Sequence, residues 1–207
     1  MTEKCERCDW KRQDRTPEGT GLSYHYYQCD SCHDVAYPMD QLQKLMEYAE
    51  SNQFMFVEDW ILALFFALPD SYIVGRTSLQ KQMFLIVYEF APKENIPSEN
   101  PGFRAYKYGP FADRIADATE VLIRDGLVIK NGRKDSGNER LELTENGKSF
   151  AKTAFDKLTD EQKTKLIDLR KEYQQWGLDG LLKHVYTYYG EYTGESKIRN
   201  KVLNLKN

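Results

Sequence analysis

The sequence predicts a mainly α-helical chain with small β elements, and three observations carry that reading. All four cysteines fall at the N-terminal end, as Cys5-x-x-Cys8 and Cys29-x-x-Cys32. From residue 39 onward, apolar residues recur at helical spacing in successive segments punctuated by Pro, Gly and Asn. Within that stretch, "LVIKNGRKDSGNERLELT" holds two short strand-like runs about a charged, glycine-containing turn, the pattern of a β-hairpin.

Composition bounds the classes. The 207 residues are 41% hydrophobic and 29% charged, enough for a core and a solvated surface. A formal charge of −3 argues against an overall basic nucleic-acid binder but leaves room for a local basic patch. Residues 1–20 are densely charged and lack the apolar run of a signal peptide. The longest apolar block, "WILALFFALP", is about half the length that spans a bilayer. A cytoplasmic protein with no membrane partner is expected.

The two cysteine pairs are separated by 20 residues, at the upper end of the spacing of four-cysteine zinc sites. Each Cys-x-x-Cys supplies two thiolates from one tight turn, so Cys5, Cys8, Cys29 and Cys32 together complete a tetrahedral shell. The run Cys29-Asp-Ser-Cys32-His33 also matches a haem attachment sequence, but that reading needs export and leaves Cys5 and Cys8 without a role. A thiolate tetrahedron accepts iron as well as zinc. One structural Zn2+ is the expectation, because a closed shell has no open position for a reacting water. His33 is then a solvated neighbour or a donor near a sulfur. The turn-rich "TPEGTG", the strand-like "LSYHYYQ" and the exit "DVAYP" give a strand–knuckle–strand order, and residues 1–38 resemble zinc ribbons.

The helices come next in order. Leu42, Leu45, Met46 and Ala49 set an amphipathic helix in a linker, 39–56, that docks the ribbon against the rest of the chain. A helix from about Val57 to Leu68 is apolar nearly all round and therefore buried. "GRTSLQKQMFLIVYEF" gives a third, with Thr77 or Ser78 as cap and Leu79, Met83, Phe84 and Val87 inward. The proline-containing 91–101 is an irregular connection, and "FRAYKY" reads as a short strand. Gly109 and Pro110 open a helix carrying Phe111, Ile115, Ala118, Leu122 and Ile123, ending at Gly126. After the hairpin, Thr144 caps a helix to about Leu158, and Thr159 with Gln162 forms a capping box for the next. A last helix begins near Leu178 with Leu181, Leu182, Val185 and Tyr189 on one side.

Helix, helix, helix and then a two-stranded wing is the order of a winged-helix domain, and "LIRDGLVIKNGRKDSGNERLELTENGKSFA" looks like its ending. "GRTSLQKQMFLI" with "YKYGPFADRIADATEVL" resembles an uncharacterised group of bacterial and archaeal winged-helix proteins carrying GR-x-x-LQK and Y-x-Y-GP. The two motifs are similar, more remotely, to the Panacea antitoxin domain. The resemblance spans about residues 57–192 and implies a winged helix at 57–158 with a C-terminal helical extension at 159–207.

A winged helix reads DNA by placing the helix before its wing in the major groove. Here that helix, about Pro110–Asp125, sets two arginines, Arg114 and Arg124, against four carboxylates, which opposes docking on phosphate. The wing is basic: Lys130, Arg133, Lys134 and Arg140 outnumber Asp135 and Glu139. Lys11, Arg12 and Arg15 in the ribbon add further cations, while Arg76, Gln80 and Lys81 read as a capping, buried-polar and solvated set. Tyr106 and Tyr108 read as packing residues before base-stacking ones. No nucleophile elbow, phosphate loop or hydrolase metal spacing occurs, and the three histidines lie apart, so no enzyme is expected. By fold analogy the expected function is a DNA-binding transcriptional regulator whose partner is double-stranded DNA. The alternative is a protein-interaction module or antitoxin-like factor whose partner is another protein.

Overall fold

The computed structural model describes residues 9–16, 22–51, 54–68, 72–133 and 139–203. Its described part is mainly helical, with two small antiparallel sheets. The first sheet holds β1 (Trp10–Arg15), β2 (Tyr24–Cys29) and β3 (Val35–Ala36) in the order β1-β2-β3. Alternation in β2 turns Tyr24 and Tyr26 inward and His25 and Tyr27 outward, as a half-buried strand requires. Tyr24, Tyr26 and Leu22 pack with Leu45 and Phe54 into a small core of their own. Leu45 comes from α1 (Met39–Ser51), whose Gln41 side chain also accepts the His25 backbone N–H at 3.0 Å. The linker helix thus docks the sheet through Leu45, with Met46 left exposed on its flank.

The main core is built around α2 (Val57–Phe66). Its near-continuous apolar sequence is satisfied because other elements close over it, and Trp60, Ile61, Ala63 and Leu64 are fully buried. A two-residue strand, β4 (Ile73–Val74), leads into α3 (Arg76–Leu85), which continues as a π-helical turn (Ile86–Phe90) and then α4 (Ala91–Lys93). An irregular segment comes after it, as the prolines foretell. "FRAYKY" forms only isolated bridges, Arg104 to Phe111 and Lys107 to Gly109, because the chain turns back at Gly109 before a partner strand can extend.

The helix expected from Gly109–Pro110 begins later, as α5 (Asp113–Arg124). The hairpin strands are β5 (Val128–Asn131) and β6 (Arg140–Leu143), and the second sheet has the order β4-β6-β5. Thr144 accepts the Gly147 N–H at 2.9 Å and caps α6 (Glu145–Asp156), which packs on α2. Thr159 and Gln162 exchange bonds of 2.9 and 3.3 Å at the start of α7 (Asp160–Tyr188). Gly177 lies at φ 59°, ψ −168° and bends α7 close to where a separate helix was expected. Beyond it Leu181, Leu182 and Val185 are buried against the core. A 3-10 turn (Gly190–Thr193) and α8 (Arg199–Val202) complete the described chain. No described helix is long and apolar enough to cross a membrane.

Candidate metal centre and macromolecular interface

Cys29 ends β2 and is fully buried, and Cys32 is half-buried three residues on. The turn between them is closed by backbone bonds from Cys29 N–H to Asp34 O (3.0 Å) and from His33 N–H to Cys29 O (2.9 Å). His33 takes a left-handed φ of 61°, which turns the chain away after Cys32. The Ser31 N–H points at Cys29 Sγ, 3.4 Å away, a donor that favours the anionic sulfur a metal needs. The pair therefore fits one half of a tetrahedral thiolate site. Among the described residues no group of three or more His, Cys, Asp or Glu could hold a metal ion, and Cys5 and Cys8 lie outside the described residues. His33 is exposed at this turn.

This turn is pressed onto the helical body. Gly102 lies at φ 72°, and a Cβ there would sit 2.6 Å from the His33 carbonyl oxygen and 2.8 Å from Val35. Next to it, Asn100 donates Nδ2–H to the Tyr26 hydroxyl at 2.9 Å, and its backbone N–H donates to the Tyr37 hydroxyl at 3.3 Å. The sheet and the irregular segment of the body are thus joined by close packing and by two tyrosine hydroxyls.

The two motifs that carry the family resemblance meet in space. Gln80 Nε2 donates to Ala112 O at 2.9 Å, and Ala112 N–H donates back to Gln80 Oε1 at 3.0 Å. Lys81 Nζ donates to Pro110 O at 2.7 Å. Lys81 is not solvated, as local sequence suggested, but buried, and burial lowers its pKa to about 7. Arg76 pairs with Glu139 at 3.0 Å and Glu120 at 3.0 Å. The side chains of GR-x-x-LQK hold the Gly-Pro turn and the hairpin base in place.

That arrangement fixes what α5 presents. Ile115, Ala118, Thr119 and Leu122 face the core. Arg114 grips Glu58 at 2.6 Å through both terminal nitrogens and reaches Glu99 at 2.8 and 3.2 Å. Burial alone would raise the Glu58 carboxyl, but Arg114 overcomes it and holds the group below its usual range. Asp113 pairs with Arg104. Within α5 only Asp117 and Arg124 are exposed, and Arg124 bonds Asp125 at 3.0 Å.

On the hairpin, Lys130, Arg133 and Arg140 are exposed, and Lys134 lies outside the described residues. Glu139 is fully buried under Arg76, so it is withdrawn from the hairpin surface. Arg140 lies 4.4 Å over the Tyr72 ring. The register pairs Val74 with Arg140 and Arg140 with Asn131, so these share the outer sheet face with Ile129. Tyr72, Val74 and Ile129 are all exposed there. In the first sheet Lys11 pairs with Asp30, Arg12 with Asp14, and Arg15 Nε–H reaches the Tyr26 hydroxyl at 3.3 Å. Tyr106 packs on Phe111 at 5.2 Å, while Tyr108 is exposed.

No family model matches this chain, and neither a curated protein nor a solved structure is significantly similar to it.

Proposed function

We propose that this chain is a zinc-ribbon and winged-helix protein that acts as a protein-interaction module, antitoxin-like, rather than by reading DNA with α5. The order α2, β4, α3, α5, β5, β6 with a β4-β6-β5 sheet supports a winged helix at 57–158. The Cys29–Cys32 turn supports a ribbon at 1–38 holding one Zn2+ on Cys5, Cys8, Cys29 and Cys32. Such an ion would staple a sheet whose own core is only a few side chains.

One observation carries the choice of partner. The helix that would enter a major groove has its arginines engaged in ion pairs and its apolar face in the core. The outer sheet face instead sets Tyr72, Val74 and Ile129 around Arg140, an aromatic, aliphatic and Arg grouping typical of protein hot spots. Arg140 on that face and the exposed Arg133 just beyond β5 suit a partner that is acidic around an apolar centre, while Glu142, opposite Ile129, is bonded by the Asn131 side chain. The withdrawal of Glu139 supports a second reading, a regulator in which Lys130, Arg133, Lys134 and Arg140 touch DNA phosphate through the wing alone.

The test is capture of the tagged, zinc-loaded chain from its own cells, run in parallel with and without nuclease treatment. The protein-partner reading expects one stoichiometric partner retained by wild type and lost on Ile129→Asp, a change at an exposed position. Retention of nucleic acid in its place, lost on Arg133→Ala, supports the regulator.

A further inference from the structure

A cleft of about 360 Å³ lies in the seam between the first sheet and the helical body. Arg15, Thr16 and Tyr24 form one wall, and the π-helical turn with the segment to Asn100 forms the other. Its volume is at the small end of the range for small-molecule sites. The π turn interrupts regular hydrogen bonding where it carries Val87 and Tyr88 into the cleft, and Asn95 in the same wall holds a left-handed φ of 54°. Irregularities of both kinds gather at binding sites.

The chemistry of the cleft is one cation among neutral hydroxyls. Arg15 Nε–H is taken by the Tyr26 hydroxyl, which leaves the end-on pair of Nη N–H groups without an acceptor among the described residues. Asp14, its neighbour in β1, is bonded to Arg12 instead. Tyr24 stands opposite Arg15 in the strand register, and Tyr88 lines the same cleft. Tyr24 makes no hydrogen bond through its hydroxyl among the described residues, and Tyr88 is bonded only to the Tyr192 hydroxyl, at 2.8 Å. The one carboxylate in the wall, Glu99, is already held by Arg114 and by the Val57 N–H at 3.0 Å. Val87, Ala91, Ile96 and Pro97 supply an apolar side.

We infer that this cleft binds a small organic monocarboxylate, with its carboxylate on the Arg15 guanidinium and tyrosine hydroxyls and its apolar body against Val87 and Ile96. A guanidinium edge and a carboxylate match as two parallel N–H···O bonds. A single positive charge balances a single negative one, whereas a phosphate dianion would be left with excess charge beside Glu99. Because its walls come from both the sheet and the body, the ligand would lock the ribbon against the helices. This site is separate from the outer sheet face of the proposed partner, so the two readings stand or fall independently.

Calorimetric titration of the full zinc-loaded chain with phenylacetate, phenyl phosphate and benzylamine tests the inference. Phenylacetate should bind at one saturable site, phenyl phosphate at least about threefold more weakly, and benzylamine not at all. Arg15→Gln should weaken phenylacetate at least about tenfold through loss of the bidentate pair. Val87→Trp, which fills the apolar side while leaving the charge, should abolish binding even if Arg15→Gln disturbs the sheet. No saturable binding of phenylacetate up to about 10 mM, a range that covers weak fragment affinities, would overturn it. So would binding that survives both substitutions, or tighter binding of the phosphate.

Discussion

Gln80 and Ala112 are bound to each other twice, side-chain amide to backbone, with N···O distances of 2.9 and 3.0 Å. Gln80 is buried, so no water stands ready to replace it. This pair orients Ala112, the residue that precedes α5, and with it the start of that helix. Gln80→Leu leaves a buried N–H and a buried C=O without partners and should destabilise the fold by about 2–4 kcal/mol. Urea unfolding measures this, and a loss under about 0.5 kcal/mol would mean that the turn is held by other contacts.

Lys81 should make stability rise with pH. Its folded pKa is lowered to about 7 by burial, while the unfolded side chain keeps its ordinary value. Between those values the unfolded chain binds one more proton, so raising the pH favours the folded state. The penalty is fully present below about pH 7 and is relieved above it, by at most about 1.4 kcal/mol per pH unit. Unfolding measured at neutral and alkaline pH should show this slope in wild type and not in Lys81→Met. Equal slopes would place the charge elsewhere.

Gly102→Ala should loosen the β1–β2–β3 sheet from the body. The new Cβ would meet the His33 carbonyl at 2.6 Å on a backbone of φ 72°. A cost of about 2 kcal/mol or more is expected from strain and the lost close approach. Faster amide exchange at Cys29 and His33, whose N–H groups close the cysteine turn, would report it. Unchanged exchange would show that the turn does not depend on this contact.

Metal analysis should find one zinc per chain, and chelation should melt the β1–β2–β3 sheet while the helical unfolding transition persists. The separate small core of the sheet is the reason for that division. Survival of the sheet after complete metal removal would contradict a structural ion, and iron in its place would correct the identity of the metal.

Much of this architecture is legible in the sequence where the signal is local. The caps at Thr144 and Thr159, the buried α2 and the hairpin strands all arise from residues within a few positions of one another. The two residues of β4 escape a sequence reading, since a strand so short has no alternation to read. Lys81 looks solvated in the sequence because its acceptor, Pro110 O, lies 29 residues away. Arg114 and Glu58 are 56 residues apart, so the helix charge pattern is visible but its engagement is not. The cleft at Arg15 combines residues of β1 with a π turn, an irregularity that helical periodicity does not reveal.

Titration of a mixed-sequence DNA duplex with the zinc-loaded chain, read by fluorescence anisotropy across a salt series, decides between a protein partner and DNA. With the arginines of α5 held by Glu58, Glu99 and Asp125, no saturable binding is expected at low salt. Saturable binding whose salt slope falls by about one per contact on Arg133→Ala or Lys130→Ala would overturn the protein-partner reading and establish the wing as a DNA-binding surface.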